Sequence, residues 1–206
     1  MKIIEQPRAP NPRRVRIFLA EKGIDVTFEA IELNKQEHRR SEFTALNPLQ
    51  QVPVLVLDDG TAISESIAIC RYFEEMQPEP VLFGRTPLQR TLVEMWHRRM
   101  EQGLLYPIGQ CFRHTHPAMV AMEQPQIGEW AEVNRGRALT MLNVLDSQLG
   151  KYRYVAGDDY SIADITAFVA VEFMKPARID RPAELAHLDR WYREMAARPS
   201  AKAGFA

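Results

Sequence analysis

The residues best placed to bind a ligand lie between Leu49 and Glu75. Ser64, Glu65 and Ser66 stand where a helix is predicted to begin. Free backbone N–H groups and the positive end of the helix dipole converge at such a point, which suits a carboxylate. Glu65 could accept from an ammonium group, so the three residues predict a pocket for both ends of an amino acid. Alternatively, one serine only caps the helix and Glu65 is a favourable first-turn acid.

A site for backbone recognition is predicted just upstream. Pro53 opens a predicted strand, Pro53–Leu57, where its missing N–H is tolerated. A cis Val52–Pro53 bond would hold the N–H and C=O of Val52 outward, able to pair with an extended peptide like an added strand. An Asp-Asp-Gly turn then predicts a hairpin into a second strand, Thr61–Ser64.

The first predicted helix carries a third group of candidates. Asn11-Pro12 favours a helix start with Asn11 as N-cap and Pro12 in the first helical position. Arg13 and Arg14 follow, and two cations in a first turn oppose the dipole, which favours an anion nearby. Solvent-facing arginines are the commoner alternative.

These groups must be positioned by two predicted domains. Residues 1–78 predict a thioredoxin-like α/β domain with a mixed sheet, in the order strand, helix, strand, irregular segment, hairpin, helix. Gly23 should end the first helix. A proline-rich linker, Gln77–Thr86, precedes an all-helical bundle over 87–206. Its first predicted core stripe is Leu88, Leu92, Met95, Trp96 and Met100. Ser161 to Asp164 predicts a capping box before a central apolar helix.

Composition excludes several classes of function. Lys+Arg number 26 against 27 Asp+Glu, so no global field favours nucleic acid or a membrane. No apolar run suits a signal peptide or a membrane span, which predicts a cytoplasmic protein. Cys70 and Cys111 are too far apart in sequence for a C-x-x-C site and predict buried thiols.

Four motifs together resemble one known family. QVPVL followed by SESIAI resembles the glutathione-binding half of cytosolic glutathione S-transferases. PNPRRVRIFLAEKGI resembles the first helix of that family, and AGDDYSIADITAF resembles its capping motif in the helical domain. The resemblance covers nearly the whole chain in the family's order. It implies the glutathione S-transferase fold, glutathione as co-substrate without a metal, and a homodimer.

The resemblance also implies which residues bind glutathione. Val52, before a cis-Pro53, would pair with the backbone of the glutathione cysteine, and Glu65 with Ser66 would hold the γ-glutamyl group. His38 and Gln51 match positions that contact the glycine end. Without the resemblance, His38 reads as a solvated residue of a polar loop.

Thiolate activation is where the sequence departs from the family. Family members place a Tyr, Ser or Cys at the start of the first helix, whereas this chain has Ala9 and Asn11 there. Asn11 is the predicted catalytic residue, because its amide can donate to a sulfur anion and cannot itself lose a proton. The alternative role of Asn11 is the N-cap alone.

The second substrate is expected over the helices after the linker. Tyr106, Phe112 and Arg113 are its predicted contacts, and the substrate is a small hydrophobic electrophile, a disulfide or a peroxide. His114 and His116 would point about 200° apart on a helix, so no metal site is predicted. The competing interpretation is a non-catalytic binding or interaction protein that keeps the fold, which the missing Tyr, Ser and Cys would favour.

Overall fold

The structure is a computed structural model that describes residues 1–204 of the 206-residue chain. Its internal contacts divide the chain into two units. The first is Met1–Val81 together with the described residues from Pro199 onward, and the second is Leu82–Arg198. The described helices include none that is both long enough and apolar enough to cross a bilayer.

The first unit is built on a four-stranded mixed sheet. Its strands are β1 (Lys2–Glu5), β2 (Thr27–Ala30), β3 (Val54–Val56) and β4 (Ala62–Ser64), in the spatial order β2-β1-β3-β4. β1 and β2 are parallel, and the other two pairs are antiparallel. The helices are α1 (Pro10–Lys22), α2 (Ser41–Leu46) and α3 (Ser66–Met76), with 3₁₀ turns at Leu33–Lys35 and Glu37–Arg39. The predicted thioredoxin-like arrangement is confirmed.

The hairpin and the end of α1 form as predicted. The Gly60 N–H donates to Leu57 O over 3.0 Å, and Asp59 Oδ1 accepts from the Thr61 N–H over 2.9 Å. Gly60 has φ +87°, a conformation that glycine adopts without a steric penalty. Gly23 ends α1 in the left-handed region, and its N–H bonds back to Ala20 O.

The start of α1 differs from the prediction. Ala9, not Asn11, is the N-cap, with an extended backbone whose carbonyl accepts from the Arg13 N–H over 3.0 Å. Pro10 therefore takes the first helical position. A helix does not use the N–H groups of its first turn, so both Pro10 and Pro12 fit there and the helix can begin at the earlier proline.

The second unit is all helical. Its helices are α4 (Pro87–Met100), α5 (Tyr106–Thr115), α6 (Gly128–Leu149), α7 (Ile162–Phe173) and α8 (Ala186–Ala196), with a π-helical turn, Glu101–Leu105, joining α4 to α5. Every residue of α7 from Ile162 to Val171 is buried. The Ser161–Asp164 capping box is present, so the predicted central helix is confirmed.

The buried face of α4 agrees only in part with the predicted stripe. Leu88 and Leu92 are 68% and 36% exposed, whereas Val93, Trp96 and Met100 are buried. Trp96 and Met100 belong to the predicted stripe, and Val93 was not predicted. Periodicity predicts that an apolar stripe exists, but the packing of α4 against α7 decides which of the apolar residues face inward.

Candidate active site

The residues predicted to bind glutathione all come from connections at one edge of the sheet. Ile4 pairs with Val54, and Val54 pairs with Ser64, so the end of β1, the start of β3 and the end of β4 lie side by side. β2 runs parallel to β1, and the segment after Ala30 therefore leaves at the same edge. These connections carry Asn11, His38, Gln51, Val52, Pro53, Glu65 and Ser66.

Val52 has the geometry of a peptide-binding position. The Val52–Pro53 bond is cis, as predicted. The Val52 side chain is buried in a small core cluster with Ile4 and Val54. Within residues 1–204, neither its backbone N–H nor its C=O has a hydrogen-bond partner. An extended peptide could therefore pair with both groups.

Asn47 holds the loop before Val52, and the sequence analysis did not identify it. Asn47 is buried, its Nδ2 donates to Gln51 O over 2.8 Å, and its Oδ1 accepts from the Leu49 N–H over 3.1 Å. The side chain of Gln51 is left exposed. An Asn-Pro pair before a loop was the available signal, because Asn side chains readily bond to nearby backbone groups.

The start of α3 is uncapped by side chains. Glu65 is the N-cap residue, but no side-chain cap bond is formed, and Ser66 is the first helical residue. The alternative in which a serine caps this helix is therefore wrong. Neither the Glu65 carboxylate nor the buried Ser66 hydroxyl bonds to any other described residue, so both groups and the first N–H groups of α3 are available to a ligand.

Unusual backbone conformations also concentrate near this edge. Arg8, Gln50 and Glu65 have φ values of 67°, 55° and 68°, and they follow β1, precede β3 and follow β4, respectively. Residues other than glycine rarely adopt positive φ, and such conformations cluster at binding and active sites. Glu65, with ψ of 114°, lies outside the left-handed helical region.

Asn11 is held in a defined orientation. It is the exposed second residue of α1, and its Oδ1 accepts from Arg14 Nη2 over 2.8 Å. A guanidinium can only donate, so the amide oxygen must face Arg14 and the amide N–H groups must point elsewhere. Nδ2 of Asn11 has no partner among the described residues.

Asn11 also carries the free backbone donor of this helix end. Pro10 and Pro12 have no N–H, and the N–H of Arg13 is bonded to Ala9 O. The backbone N–H of Asn11 has no backbone partner within the described chain. Asn11 thus offers an anion two donors, one from the backbone and one from the side chain.

The two arginines after Asn11 are buried, so the alternative in which they face solvent is wrong. Each is about 4% exposed. Arg14 lies against Asn11, and Arg13 Nη2 donates to Ala201 O over 3.0 Å.

His38 is also buried, contrary to its interpretation as a solvated loop residue. It is 6% exposed, and its Nδ1 has no hydrogen-bond partner in the described chain. Burial, and then the neighbouring Arg39, lower the pKa of His38 below its usual value. The imidazole is therefore neutral near pH 7 and can bind a carboxylate as a hydrogen-bond donor rather than as a cation. The 3₁₀ turn Glu37–Arg39 supplies the local turn that directs it inward.

The predicted second-substrate residues occupy α5 of the helical unit. Tyr106 is 55% exposed at the first position of α5. Further along α5, the ring of Phe112 stacks on His116, with 4.5 Å between the ring centroids. The centroid of the Phe173 ring lies 5.1 Å from that of Phe112. Arg113 forms an ion pair with Glu123 over 2.9 Å. The structure thus groups Phe112 with other rings and leaves Tyr106 about 9 Å further along the axis.

The two cysteines are buried thiols, as predicted. Cys70 and Cys111 are both free and fully buried. Burial raises the pKa of each thiol, so both stay protonated near neutral pH. Neither is a candidate nucleophile.

A surface groove of about 430 Å³ lies within the helical unit, beside the π-helical turn. Gln102, Gly103 and Pro107 line one wall, and Gly136, Arg137, Thr140 and Met141 line the other. None of the predicted site residues lines it.

Comparison with known proteins decides the family. A model described as the glutathione S-transferase N-terminal domain matches residues 9–76, and one described as the C-terminal domain matches residues 111–199. This chain belongs to the glutathione S-transferase family. Enzymes of this family use glutathione as co-substrate, and the chain is accordingly a glutathione S-transferase-type enzyme.

Individual relatives agree with this assignment. Glutathione S-transferase 2 of Saccharomyces cerevisiae is 40% identical over 205 residues, which cover 98% of this chain and 88% of that protein. Maleylacetoacetate isomerase of Pseudomonas aeruginosa is 30% identical over 174 residues, which cover 80% of this chain and 77% of that protein. The crystal structure of Gtt2 from Saccharomyces cerevisiae matches with a TM-score of 0.94 at 40% identity, over 98% of this chain and 99% of that one.

A bacterial structure is equally similar. A glutathione S-transferase domain-containing protein from Marinobacter aquaeolei matches with a TM-score of 0.94 at 38% identity, over 97% of this chain and 99% of that one. The glutathione S-transferase fold predicted from the sequence is confirmed.

Proposed function

We propose that this protein binds glutathione at the sheet edge of its first unit and stabilises the thiolate with Asn11. The thiolate then attacks a small electrophile or reduces a disulfide or peroxide. The observation that carries the proposal is the contact between Asn11 Oδ1 and Arg14, which turns the amide N–H groups of Asn11 outward.

Glutathione is a tripeptide with an ammonium, two carboxylates and a thiol, and the sheet edge offers a group for each part. The γ-glutamyl ammonium pairs with Glu65, and its carboxylate meets the Ser66 hydroxyl and the first N–H groups of α3. The cysteine backbone pairs with the N–H and C=O of Val52, next to Pro53. The glycine carboxylate receives a hydrogen bond from neutral His38 and from the exposed Gln51.

The thiolate needs donors that match its charge. Lowering a thiol pKa of about 8.5 by two units requires about 3 kcal/mol of preferential stabilisation of the anion. A hydrogen bond to a charged group contributes about 1.5–3 kcal/mol, so the two donors of Asn11 are sufficient in magnitude. The positive end of the α1 dipole and the Arg14 charge add to them.

The reaction with an electrophile forms one bond to sulfur. The thiol proton is lost to solvent, the sulfur lone pair forms a bond to the electrophilic carbon, and a leaving group departs with its electron pair. With a disulfide, the thiolate instead attacks one sulfur and releases the other as a thiolate. The second substrate contacts Phe112 and Tyr106. Arg113 is paired with Glu123 through Nε, and its other N–H groups would donate to an anionic group of the substrate. We propose that the protein acts as a cytoplasmic homodimer.

The test is the thiol pKa of bound glutathione. The ultraviolet absorbance of the thiolate is titrated in a stoichiometric complex of the parent protein, Asn11→Ala and Asn11→Asp. The parent should depress the pKa by about two units, and Asn11→Ala should raise it by about one, since the backbone N–H remains. Asn11→Asp still accepts from Arg14 but cannot donate, so it should raise the pKa further.

Asn143→Asp, an exposed asparagine of α6, is the matched control for the added charge and should leave the thiol pKa unchanged. If the parent binds glutathione without depressing its thiol pKa, the proposed activation by Asn11 is wrong. A non-catalytic binding role, which the absence of Tyr, Ser and Cys near Ala9 favours, would then be the better account.

A further inference from the structure

The C-terminal residues of the described chain belong to the first unit rather than to the helical one. Residues 199–204, called the C-terminal strap below, begin with a 3₁₀ turn, Pro199–Lys202. This turn packs on α1, the helix whose N-terminus carries Asn11.

The strap contacts α1 along most of its length. Ala201 O accepts from Arg13 Nη2 over 3.0 Å, and the Ser200 hydroxyl donates to the Glu21 carboxylate. Gly204, with φ of +87°, lies so close that a Cβ there would be 3.2 Å from Arg16 Cδ. The strap therefore reaches from the first turns of the helix to its last turn.

The contact at Arg13 is the one nearest the candidate site. Arg13 and Ala201 are both buried, and a buried guanidinium depends on acceptors supplied by the protein. Arg13 is two residues after Asn11, and its own N–H closes the first turn on Ala9 O. A substitution that removes the contact between Arg13 and Ala201 therefore makes the first turn of α1 more mobile, and this turn presents both donors of Asn11.

We propose that the C-terminal strap is a positioning element for the thiolate site, acting through Arg13 on the N-terminus of α1. The inference rests on the proposed function, because it assigns the strap to the same thiolate. A loosened strap lets Asn11 move relative to the sulfur, and hydrogen bonds to a thiolate weaken steeply when their geometry is lost. The thiol pKa of bound glutathione then rises even when the site is saturated.

The experiment compares Arg13→Met, Arg13→Lys and Lys202→Ala with the parent. Arg13→Met removes the donor to Ala201 and should weaken glutathione binding about fivefold and raise the bound thiol pKa by half a unit or more. Arg13→Lys keeps one donor and should lie between Arg13→Met and the parent. Lys202 is exposed on the strap itself, so Lys202→Ala should match the parent.

Gly204→Ala tests the same contact from the strap side. A side chain at positive φ is strained by about 1–2 kcal/mol, which should weaken docking of the strap and raise the thiol pKa in the same direction. Glutathione affinity is measured by titration, and the thiol pKa is then measured at saturating glutathione. Far-ultraviolet circular dichroism establishes that each variant is folded.

The outcomes separate the two proposals. If the parent depresses the thiol pKa and folded Arg13→Met and Gly204→Ala have the same thiol pKa as the parent, the strap is only structural and the inference is overturned. If the parent itself does not depress the thiol pKa, the proposed function fails first and the inference fails with it.

Discussion

The indole Nε1 of Trp191 donates a hydrogen bond of 2.9 Å to Oδ1 of Asp164, and both residues are fully buried. Asp164 also accepts from the Val155 N–H, and from the N–H and hydroxyl of Ser161. One carboxylate therefore ties the start of α7 to α8 and to the preceding loop.

Removing this carboxylate should destabilise the protein strongly. Asp164→Ala leaves the donors of Trp191, Val155 and Ser161 buried without an acceptor. Each costs about 1–3 kcal/mol, so a loss of at least about 3 kcal/mol in the free energy of unfolding is expected. Urea unfolding measures this loss of stability. Asp158 is an exposed neighbour, so Asp158→Ala is the control, and its free energy of unfolding should lie within about 0.5 kcal/mol of the parent value. A loss below about 1 kcal/mol for Asp164→Ala would contradict the role assigned to the network.

The pH dependence of stability should reveal the ionisation of Asp164. Burial raises the pKa of Asp164 to about 6, against an ordinary value of 3.8, and its four hydrogen bonds only partly oppose this. The folded state then binds the proton more tightly than the unfolded state, so this group stabilises the fold most at low pH.

The stability advantage of the parent over Asp164→Asn should accordingly fall as the pH rises from about 4 to 6, by roughly 2–3 kcal/mol, and should level off above pH 7. Urea unfolding of both proteins across this range gives the difference directly. A difference that grows with pH would mean that the donors outweigh burial and that the pKa is lowered.

Glu65 should show a trade between stability and binding. Its φ of 68° with ψ of 114° is costly for a residue with a Cβ, by about 1–3 kcal/mol. Glu65→Gly removes this cost but raises the conformational entropy of the unfolded chain. We expect a net gain of about 1 kcal/mol in the free energy of unfolding and a Tm higher by about 2–4 °C.

The same variant should bind glutathione at least tenfold more weakly, because it loses a carboxylate partner worth about 1.5–3 kcal/mol. Glu65→Ala should lose binding equally without gaining stability. Glu75→Gly, in the exposed last turn of α3, is the control for glycine itself and should be neutral or less stable. A Glu65→Gly protein with unchanged affinity would argue against a γ-glutamyl contact.

His38 should act as a neutral donor. Because burial and Arg39 lower its pKa, NMR titration of the free protein should find the imidazole titrating below its usual value. Bound glutathione should raise that pKa, since a carboxylate favours the imidazolium.

His38→Gln keeps an N–H donor and should retain glutathione affinity within about threefold. His38→Ala should lower the affinity about fivefold, because one hydrogen bond contributes about 1 kcal/mol. Equal losses in the two variants would show that His38 contributes through packing rather than through donation.

Local signals in the sequence determined much of this fold. Gly23 as a helix end, the Asp59-Gly60 turn and the Ser161–Asp164 capping box each depend on residues within about four positions of one another, so the sequence predicts them directly. The motifs around Val52 and Glu65 were likewise predicted from the local sequence. Sheet pairing then brings these two motifs together because Val54 is paired with Ser64.

Tertiary structure alone decided the long-range contacts around the candidate site. Arg13 is bonded to Ala201, 188 residues away, and no local pattern predicts that the C-terminus returns to α1. The burial of His38 and the backbone of Glu65 likewise depend on what packs around them. Spacing in a sequence defines which residues share a face, but burial and long-range hydrogen bonds are fixed only when the elements pack.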